Sequence, residues 1–212
     1  HIAVWEGPKI NKTQALEISG IKTVFWLKDL EKLVDKLVST CHNIYFNKNE
    51  HYRAKIETET REARFNIWLE KKYPKKNKER SNPILQRLRS IKDHKEISLI
   101  QQACDITNKG FRRILGIVKP GVWEYEIEAE FIHEFLINRS KKFAYTPIIA
   151  SGNNANILHY IENNMQCKDG DLILLDVGAE YANYSSDMTR TIPVNGRFDK
   201  RPVSYTHLTL PT

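Results

Sequence analysis

The most constraining feature of the sequence is an apolar run, Leu172–Leu175, that ends in an aspartate, Asp176. An unbroken apolar run of this length between turn residues predicts a strand that is covered on both faces. A charged carboxylate at the end of such a strand is costly unless a cation or several hydrogen bonds compensate it. The position of Asp176 therefore predicts a compensating partner.

A second aspartate, Asp187, follows eleven positions later. Residues 181–183 indicate a turn between the two, so residues 172–192 predict a β-hairpin. In a hairpin with a two- or four-residue loop, cross-strand neighbours differ by an odd number of positions, and both carboxylates then lie on one face of the sheet. A loop of odd length or a bulge would reverse this assignment.

Two carboxylates on one face repel each other, and divalent cations would turn that repulsion into coordination. Carboxylate oxygens suit hard cations such as manganese and magnesium, and carboxylates are common ligands of two-metal hydrolytic centres. The spacing alone leaves a simpler alternative open, in which one aspartate caps a turn and the other is a solvated charge at a sheet edge.

The composition bounds the class of protein. With 212 residues and 41% apolar content, the chain can form one large domain or two small ones. Its net charge of +7 arises in residues 71–95, which hold ten basic and two acidic side chains. That stretch lacks the interleaved aromatic residues that stack on bases, so we expect a solvated connector and no nucleic-acid binding.

The chain has neither a run of membrane-spanning length nor a signal-peptide pattern, and its first residue is His1. We therefore expect no membrane association and a start within a longer protein. Cys41, Cys104 and Cys167 are odd in number and far apart, which argues against a disulfide framework or a zinc knuckle. This pattern predicts a reducing compartment, the cytoplasm.

Residues 1–75 alternate between strand and helix patterns, which predicts a small α/β unit. The expected strands are Ile2–Trp5, Thr23–Leu27 and His42–Phe46, and the expected helices are Thr13–Ile18, Asp29–Val38 and Tyr52–Lys72. The polar, proline-bounded segment that follows is assigned to a basic linker, residues 76–90.

Residues 91–201 open with Asp93 as the expected cap of an amphipathic helix that ends before Lys119–Gly121. A second helix is expected over Trp123–Asn138, with Phe131 and Phe135 on its core face and three glutamates at its positive N-terminal end. These glutamates are Glu124, Glu126 and Glu128.

An expected strand, Thr146–Ser151, and a loop over residues 152–156 lead to His159. The imidazole of His159 could reach into a cleft as a hydrogen-bond donor or proton carrier. A lone histidine beside apolar residues is more often a hydrogen-bonded structural group, and this alternative stays open.

Four segments together closely resemble the aminopeptidase P branch of the pita-bread metallopeptidases: Tyr145–Gly152, Ile157–Tyr160, Asp169–Gly178 and Ser186–Thr191. The resemblance covers about residues 85–200, and residues 1–80 resemble the latter part of a creatinase-type N-terminal domain. The implied fold class is α/β (α+β), with a partial creatinase-type N-terminal domain followed by the first half of a pita-bread catalytic domain.

Carried over position by position, the resemblance implies that Asp176 is a ligand of one metal ion and that Asp187 bridges two, usually manganese. It implies that His159 is a catalytic residue near the scissile peptide bond. Thr189 would be a hydrogen-bonding residue that supports the site, and Tyr145 would line the substrate cavity.

The implied reaction removes an N-terminal residue that precedes proline, by attack of a metal-held hydroxide on the peptide carbonyl. The expected partners are therefore peptides with proline at the second position, and a homo-oligomeric full-length protein stays open. An Xaa-Pro dipeptidase and a non-catalytic creatinase-like binding module are the alternatives. The facing aspartates favour an enzyme, because a module without chemistry has little reason to keep two carboxylates together.

The sequence departs from the family pattern at its end. The family supplies a further histidine and two glutamates as metal ligands after the aspartate hairpin, and this sequence ends before them. Residues 202–212 resemble translated linker sequence, so we set them and His207 aside as a non-native tail. We accordingly expect the chain to be a fragment that is inactive by itself.

Overall fold

The computed structural model describes residues 4–5, 7–50 and 59–198. The chain divides into two compact units, residues 1–91 and 92–212, which are described separately below. Among the described helices, none combines the length and the apolar character that are needed to cross a membrane.

The first unit is a small arrangement of helices around a two-stranded sheet. Its elements are α1 (Lys12–Ser19), α2 (Leu30–Thr40), β1 (Asn43–Phe46), α3 (Arg61–Lys72), β2 (Asn77–Arg80) and α4 (Asn82–Ser90), and a 3-10 turn over Leu27–Asp29 precedes α2. Strands β1 and β2 pair in parallel. The buried apolar side chains come from α2, β1 and α3, namely Val38, Phe46 and Leu69.

Three of the six elements expected in the first unit are confirmed: both helices before residue 40 and the strand that ends at Phe46. The strand expected over Thr23–Leu27 is wrong, because these residues pair with no strand in the described part of the chain and Phe25 and Trp26 are exposed. Of the strand expected over Ile2–Trp5, the described residues Val4 and Trp5 are helical. Residues 52–58 of the third expected helix lie outside the described residues, and α3 begins at Arg61.

Residues 76–90, which their composition assigns to a basic linker, form regular secondary structure. Asn77–Arg80 forms β2, with every side chain exposed, and α4 follows with Pro83 in its first turn. A strand needs only backbone partners, and β1 supplies them, so a charged sequence with no apolar alternation forms a strand here. Proline is favourable in a first helical turn because its fixed φ suits the helix.

The second unit packs two long helices on a sheet. Helix α5 (His94–Leu115) starts at Asp93, whose side chain accepts from the Glu96 backbone N–H while the Glu96 side chain accepts from the Asp93 N–H. This capping box confirms the predicted helix start. Helix α6 (Glu124–Ile137) follows, and its Phe131 and Phe135 are fully buried as expected.

The sheet has the order β3–β4–β7 and is antiparallel throughout, with β3 at Ile148–Ser151, β4 at Leu172–Val177 and β7 at Met188–Pro193. One face is covered by α5 and α6, whose side chains form a core with alternate residues of the strands. The strand residues in this core are Ile149, Ile173, Leu175 and Val177. The other face carries a smaller cluster of Ile148, Ala150, Leu174 and Tyr160.

The chain between β4 and β7 is a long hairpin with a tight tip. Two short strands, β5 (Glu180–Tyr181) and β6 (Tyr184–Ser185), pair across Ala182 and Asn183, which both have positive φ. A two-residue turn with positive φ at both positions matches the twist of a hairpin. The predicted hairpin is therefore confirmed, with its turn at residues 182–183.

A buried hydroxyl pair fixes the middle of the hairpin. Thr107 Oγ1 of α5 lies 2.6 Å from Ser186 Oγ, and the Ala179 backbone N–H donates to both oxygens, at 2.9 and 3.0 Å. Next to this network, a Cβ on Gly178 would lie 1.9 Å from the Ser186 backbone oxygen. The two chains of the hairpin approach so closely at this point that only glycine fits.

We predict that Gly110→Ala destabilises the second unit. A Cβ at this position of α5 would lie 2.8 Å from Phe131 Cδ1 and 2.9 Å from Phe135 Cε1, and both rings are buried. Overpacking of this kind costs about 1–3 kcal/mol, partly offset by about 1 kcal/mol of helix propensity. Urea unfolding should give a lower midpoint for Gly110→Ala, whereas Gly116→Ala, whose Cβ would meet only Arg113 O at 3.6 Å, should change little.

We also predict that Thr107→Val destabilises the hairpin more than Thr107→Ser does. Valine removes the hydroxyl that joins Ala179 and Ser186, and loss of one buried hydrogen-bonding partner costs about 1–3 kcal/mol. Serine keeps the hydroxyl and removes one methyl group, which costs about 1 kcal/mol. Unfolding free energies measure both variants, and an equal or larger loss for Thr107→Ser would contradict the role of the hydroxyl.

Candidate metal centre

Asp176 lies near the end of β4, on the sheet face that α5 and α6 leave uncovered. The register places it opposite Ile148 of β3 and Thr189 of β7. Its side chain is half-buried, while its neighbours Leu175 and Val177 point into the helix-covered core. The apolar run of β4 thus buries one face in the core and presents Asp176 on the other.

Asp187 lies one residue before β7 and shares this face. Val177 pairs with Met188, so continuation of the same register sets Asp187 across from Gly178, on the near diagonal from Asp176. Asp187 is exposed and Asp176 is half-buried. The prediction that the two carboxylates share one face is confirmed, because one hydroxyl group contacts both of them.

That hydroxyl belongs to Tyr145. It lies 2.6 Å from Asp176 Oδ1 and 3.0 Å from Asp187 Oδ1, as the donor to both carboxylates. The Ala144 backbone N–H donates to Gly178 O at 2.7 Å and fixes the tyrosine segment against the hairpin. The family resemblance implies that Tyr145 lines the substrate cavity, and it does not predict this direct contact with both aspartates.

Burial, together with hydrogen bonds to Asp176 and Asp187, raises the pKa of the Tyr145 hydroxyl far above its usual value. The phenol therefore stays protonated at neutral pH and continues to donate. One proton bridges two carboxylates, and it supplies no net positive charge. Among the ion pairs within residues 59–198, none involves either aspartate.

The residues at this site fit a divalent cation in donor type. Two carboxylates held together without a counter-cation provide the hard oxygen ligands that manganese, magnesium and similar ions prefer. The described part of the chain contains no group of three or more histidine, cysteine, aspartate or glutamate side chains arranged to hold a metal ion. The candidate site therefore has two facing carboxylates, with Thr189 directly across from Asp176.

His159 lies on a different segment of the chain, after β3. It follows a 3-10 helix, Gly152–Asn156, in an exposed turn, and its neighbour Leu158 is 84% exposed. The next residue, Tyr160, is buried against Ile148 and Ala150 on the same sheet face as Asp176. The structure thus brings Tyr145, Asp176, Asp187 and Thr189 together and holds His159 on a separate segment that borders this face.

Sequence reasoning missed Glu124, which is fully buried at the first turn of α6. It was interpreted as one of three favourable charges at a helix N-terminus. In the structure only Glu126 caps the helix, by accepting from the Trp123 backbone N–H at 2.7 Å, whereas Glu124 points inward and accepts five hydrogen bonds. No pattern in the sequence separates these two glutamates.

Residues 98–208 match the profile of metallopeptidase family M24. Xaa-Pro aminopeptidase of Haemophilus influenzae is 31% identical over 199 residues, which cover 94% of this chain and 44% of that protein. Human Xaa-Pro aminopeptidase 3 is 33% identical over 92% of this chain and 38% of that protein. The chain therefore spans less than half the length of these relatives.

Solved structures show the same similarity. A Bacillus anthracis protein assigned to aminopeptidase P is 32% identical with a TM-score of 0.86, over 94% of this chain and 48% of that one. A zinc-substituted Escherichia coli aminopeptidase P in complex with product is 29% identical with a TM-score of 0.77, over 94% of this chain and 46% of that one.

These matches confirm the mixed helix and strand fold that the resemblance implied, and they extend over about half of each aminopeptidase P chain. The family match alone includes more than half of the 212 residues. The chain belongs to metallopeptidase family M24.

Proposed function

We propose that the whole protein is an aminopeptidase that removes an N-terminal residue preceding proline and that uses two divalent metal ions, most simply manganese. The observation that carries this proposal is the pair of facing carboxylates, Asp176 and Asp187, joined by the Tyr145 hydroxyl. The family match and the names of the relatives support the reaction class. The cytoplasmic location stays a prediction.

Asp176 would hold one metal ion and Asp187 would bridge two. When bound, such ions activate water and polarise the carbonyl of the scissile peptide. Tyr145 keeps the two carboxylates together and orients their oxygens by donating to one oxygen of each. Each carboxylate therefore keeps further lone pairs for a cation.

His159 acts on the substrate side in this proposal. Its exposed position on the segment after β3 allows an imidazole N–H to donate to the peptide carbonyl oxygen as negative charge develops there. Thr189, across from Asp176, would support the carboxylate through a hydrogen bond. The division of labour is thus between metal ligands on the hairpin and a hydrogen-bond donor on the loop.

The full-length protein should release the first residue of a tripeptide with proline at position two only when manganese is supplied. Asp187→Asn should weaken manganese binding by more than about 100-fold, since it removes a ligand instead of a supporting contact. Asp169→Asn is the matched control, because Asp169 is exposed and accepts from Asn195 at the other end of β4, away from Asp176. Calorimetric titration and release kinetics measure both effects.

Three outcomes would contradict the proposed function. If Asp187→Asn bound manganese as tightly as the unmodified protein does, the metal site would not be at the hairpin. Equal release from peptides without proline would remove the specificity. Turnover restricted to Xaa-Pro dipeptides would assign the protein to the dipeptidases.

We predict that His159→Ala lowers turnover of the full-length enzyme while its manganese content stays unchanged. Loss of a donor to the developing oxyanion costs about 10²- to 10³-fold in kcat. His159 belongs to the loop and not to the hairpin, so the metal ligands should be intact. Metal analysis alongside kinetics tests this, and loss of manganese from the variant would make His159 a ligand.

A further inference from the structure

Glu124 is a carboxylate with no exposed surface, and the proposed mechanism does not use it. Oε1 accepts from the Ser151 backbone N–H and from Ser151 Oγ, both at 2.7 Å, and from Asn154 Nδ2 at 3.4 Å. Oε2 accepts from the Tyr160 hydroxyl at 2.7 Å and from the Met165 N–H at 3.0 Å. All five of these hydrogen-bond donors are neutral groups, and none of them is a cation.

These donors share one property: they flank the segment that carries His159. Ser151 ends β3, Asn154 lies in the 3-10 helix before the histidine, and Tyr160 directly follows it. A single buried carboxylate on α6 therefore ties both ends of this segment. Charge-assisted hydrogen bonds of this kind are shorter and stronger than neutral ones.

A second anchor holds the far end of the segment. Asn163 is buried, and its side chain accepts from the Ile149 N–H at 3.0 Å and donates to Pro147 O at 3.1 Å. Asn163 thereby provides hydrogen-bond partners for backbone groups on the edge of β3 that faces away from β4. Residues 156–159, which lie between the bonded Asn154 and Tyr160, are exposed.

Tyr160 connects this anchoring to the candidate metal centre. Its ring packs with Ile148, Ala150 and Leu174, and Ile148 is the cross-strand partner of Asp176. Burial, with a smaller contribution from the bond to Glu124, raises the pKa of Tyr160 to about 12, so the hydroxyl donates throughout the neutral range. The residue next to His159 is thus fixed against the metal-facing side of the sheet.

We propose that Glu124, acting through the Tyr160 hydroxyl, is a positioning residue that sets the place of His159 relative to the metal centre. This inference rests on the proposed function, because it needs His159 to act on the substrate. Glu124 and Tyr160 do not touch substrate or metal. They act by restricting where the imidazole can be.

The test removes the hydroxyl and keeps the ring, in Tyr160→Phe of the full-length, manganese-loaded enzyme. We expect a fall in kcat of roughly tenfold, with the KM of a proline tripeptide and the bound manganese unchanged, since slight misplacement of a catalytic group impairs turnover. Tyr125→Phe is the matched control, because Tyr125 is exposed on the same helix as Glu124 and stacks on Trp123. Its kcat should equal that of the unmodified enzyme.

A double-mutant cycle separates positioning from a general structural role. If Tyr160 acts through His159, then Tyr160→Phe should cost about tenfold in the unmodified enzyme and nothing further in His159→Ala. An equal loss in both backgrounds would overturn the inference and make Tyr160 a structural residue. Loss of manganese from Tyr160→Phe, or an unchanged kcat, would overturn it as well.

The same cycle distinguishes failure of this inference from failure of the proposed function. If His159→Ala lowers kcat and Tyr160→Phe does not, only the positioning role is lost. If His159→Ala leaves kcat unchanged, the substrate-side role of the histidine fails and the positioning role fails with it. Glu124→Gln is a second variant, expected to lower kcat more, because its amide NH2 must face the N–H of either Ser151 or Met165.

Discussion

The candidate site depends on the pairing register of β4 with the returning chain of the hairpin. Successive side chains of a strand point to opposite faces, so a shift of one residue would move Asp176 into the core under α5 and α6 and would expose Leu175. An ionised carboxylate in that core would cost several kcal/mol. The apolar packing that stabilises the second unit therefore also determines which face presents the carboxylates, and stability and site geometry have one origin.

The carboxylates near this sheet are of two kinds, one buried and the others at least partly open to solvent. Glu124 is enclosed and receives enough donors to be satisfied by the protein alone. Asp176 and Asp187 share a single hydroxyl and keep acceptor capacity toward solvent. An enclosed and satisfied carboxylate serves to organise the chain, whereas a pair left short of donors is suited to an added cation. The number of hydrogen bonds that a carboxylate accepts thus distinguishes a structural carboxylate from a candidate metal-binding one.

The sequence predicts those features that depend on local pattern. The capping box at Asp93, the apolar stripe of α5 and the alternation that places Asp187 with Asp176 all follow from residue spacing. Features that depend on a distant partner could not be predicted in this way. Strand β2 exists because β1 offers backbone partners, and Tyr145 reaches the aspartates because Ala144 bonds to Gly178. Likewise, the fold alone makes Glu124 a buried residue, since its local sequence resembles that of the solvated glutamate two positions later.

Gly178 illustrates how a residue without a functional group can govern a functional site. It lies between Asp176 and the chain that carries Asp187, at the point where the backbone of Ser186 leaves no room for a side chain. Any larger residue would force the hairpin apart between the two carboxylates, although both aspartates and Tyr145 would be unaltered in sequence. A survey of variants that considers only acids, bases and metal ligands would score such a chain as intact. In this protein, the lack of a side chain at Gly178 is as much a requirement for the candidate site as the oxygen atoms that line it.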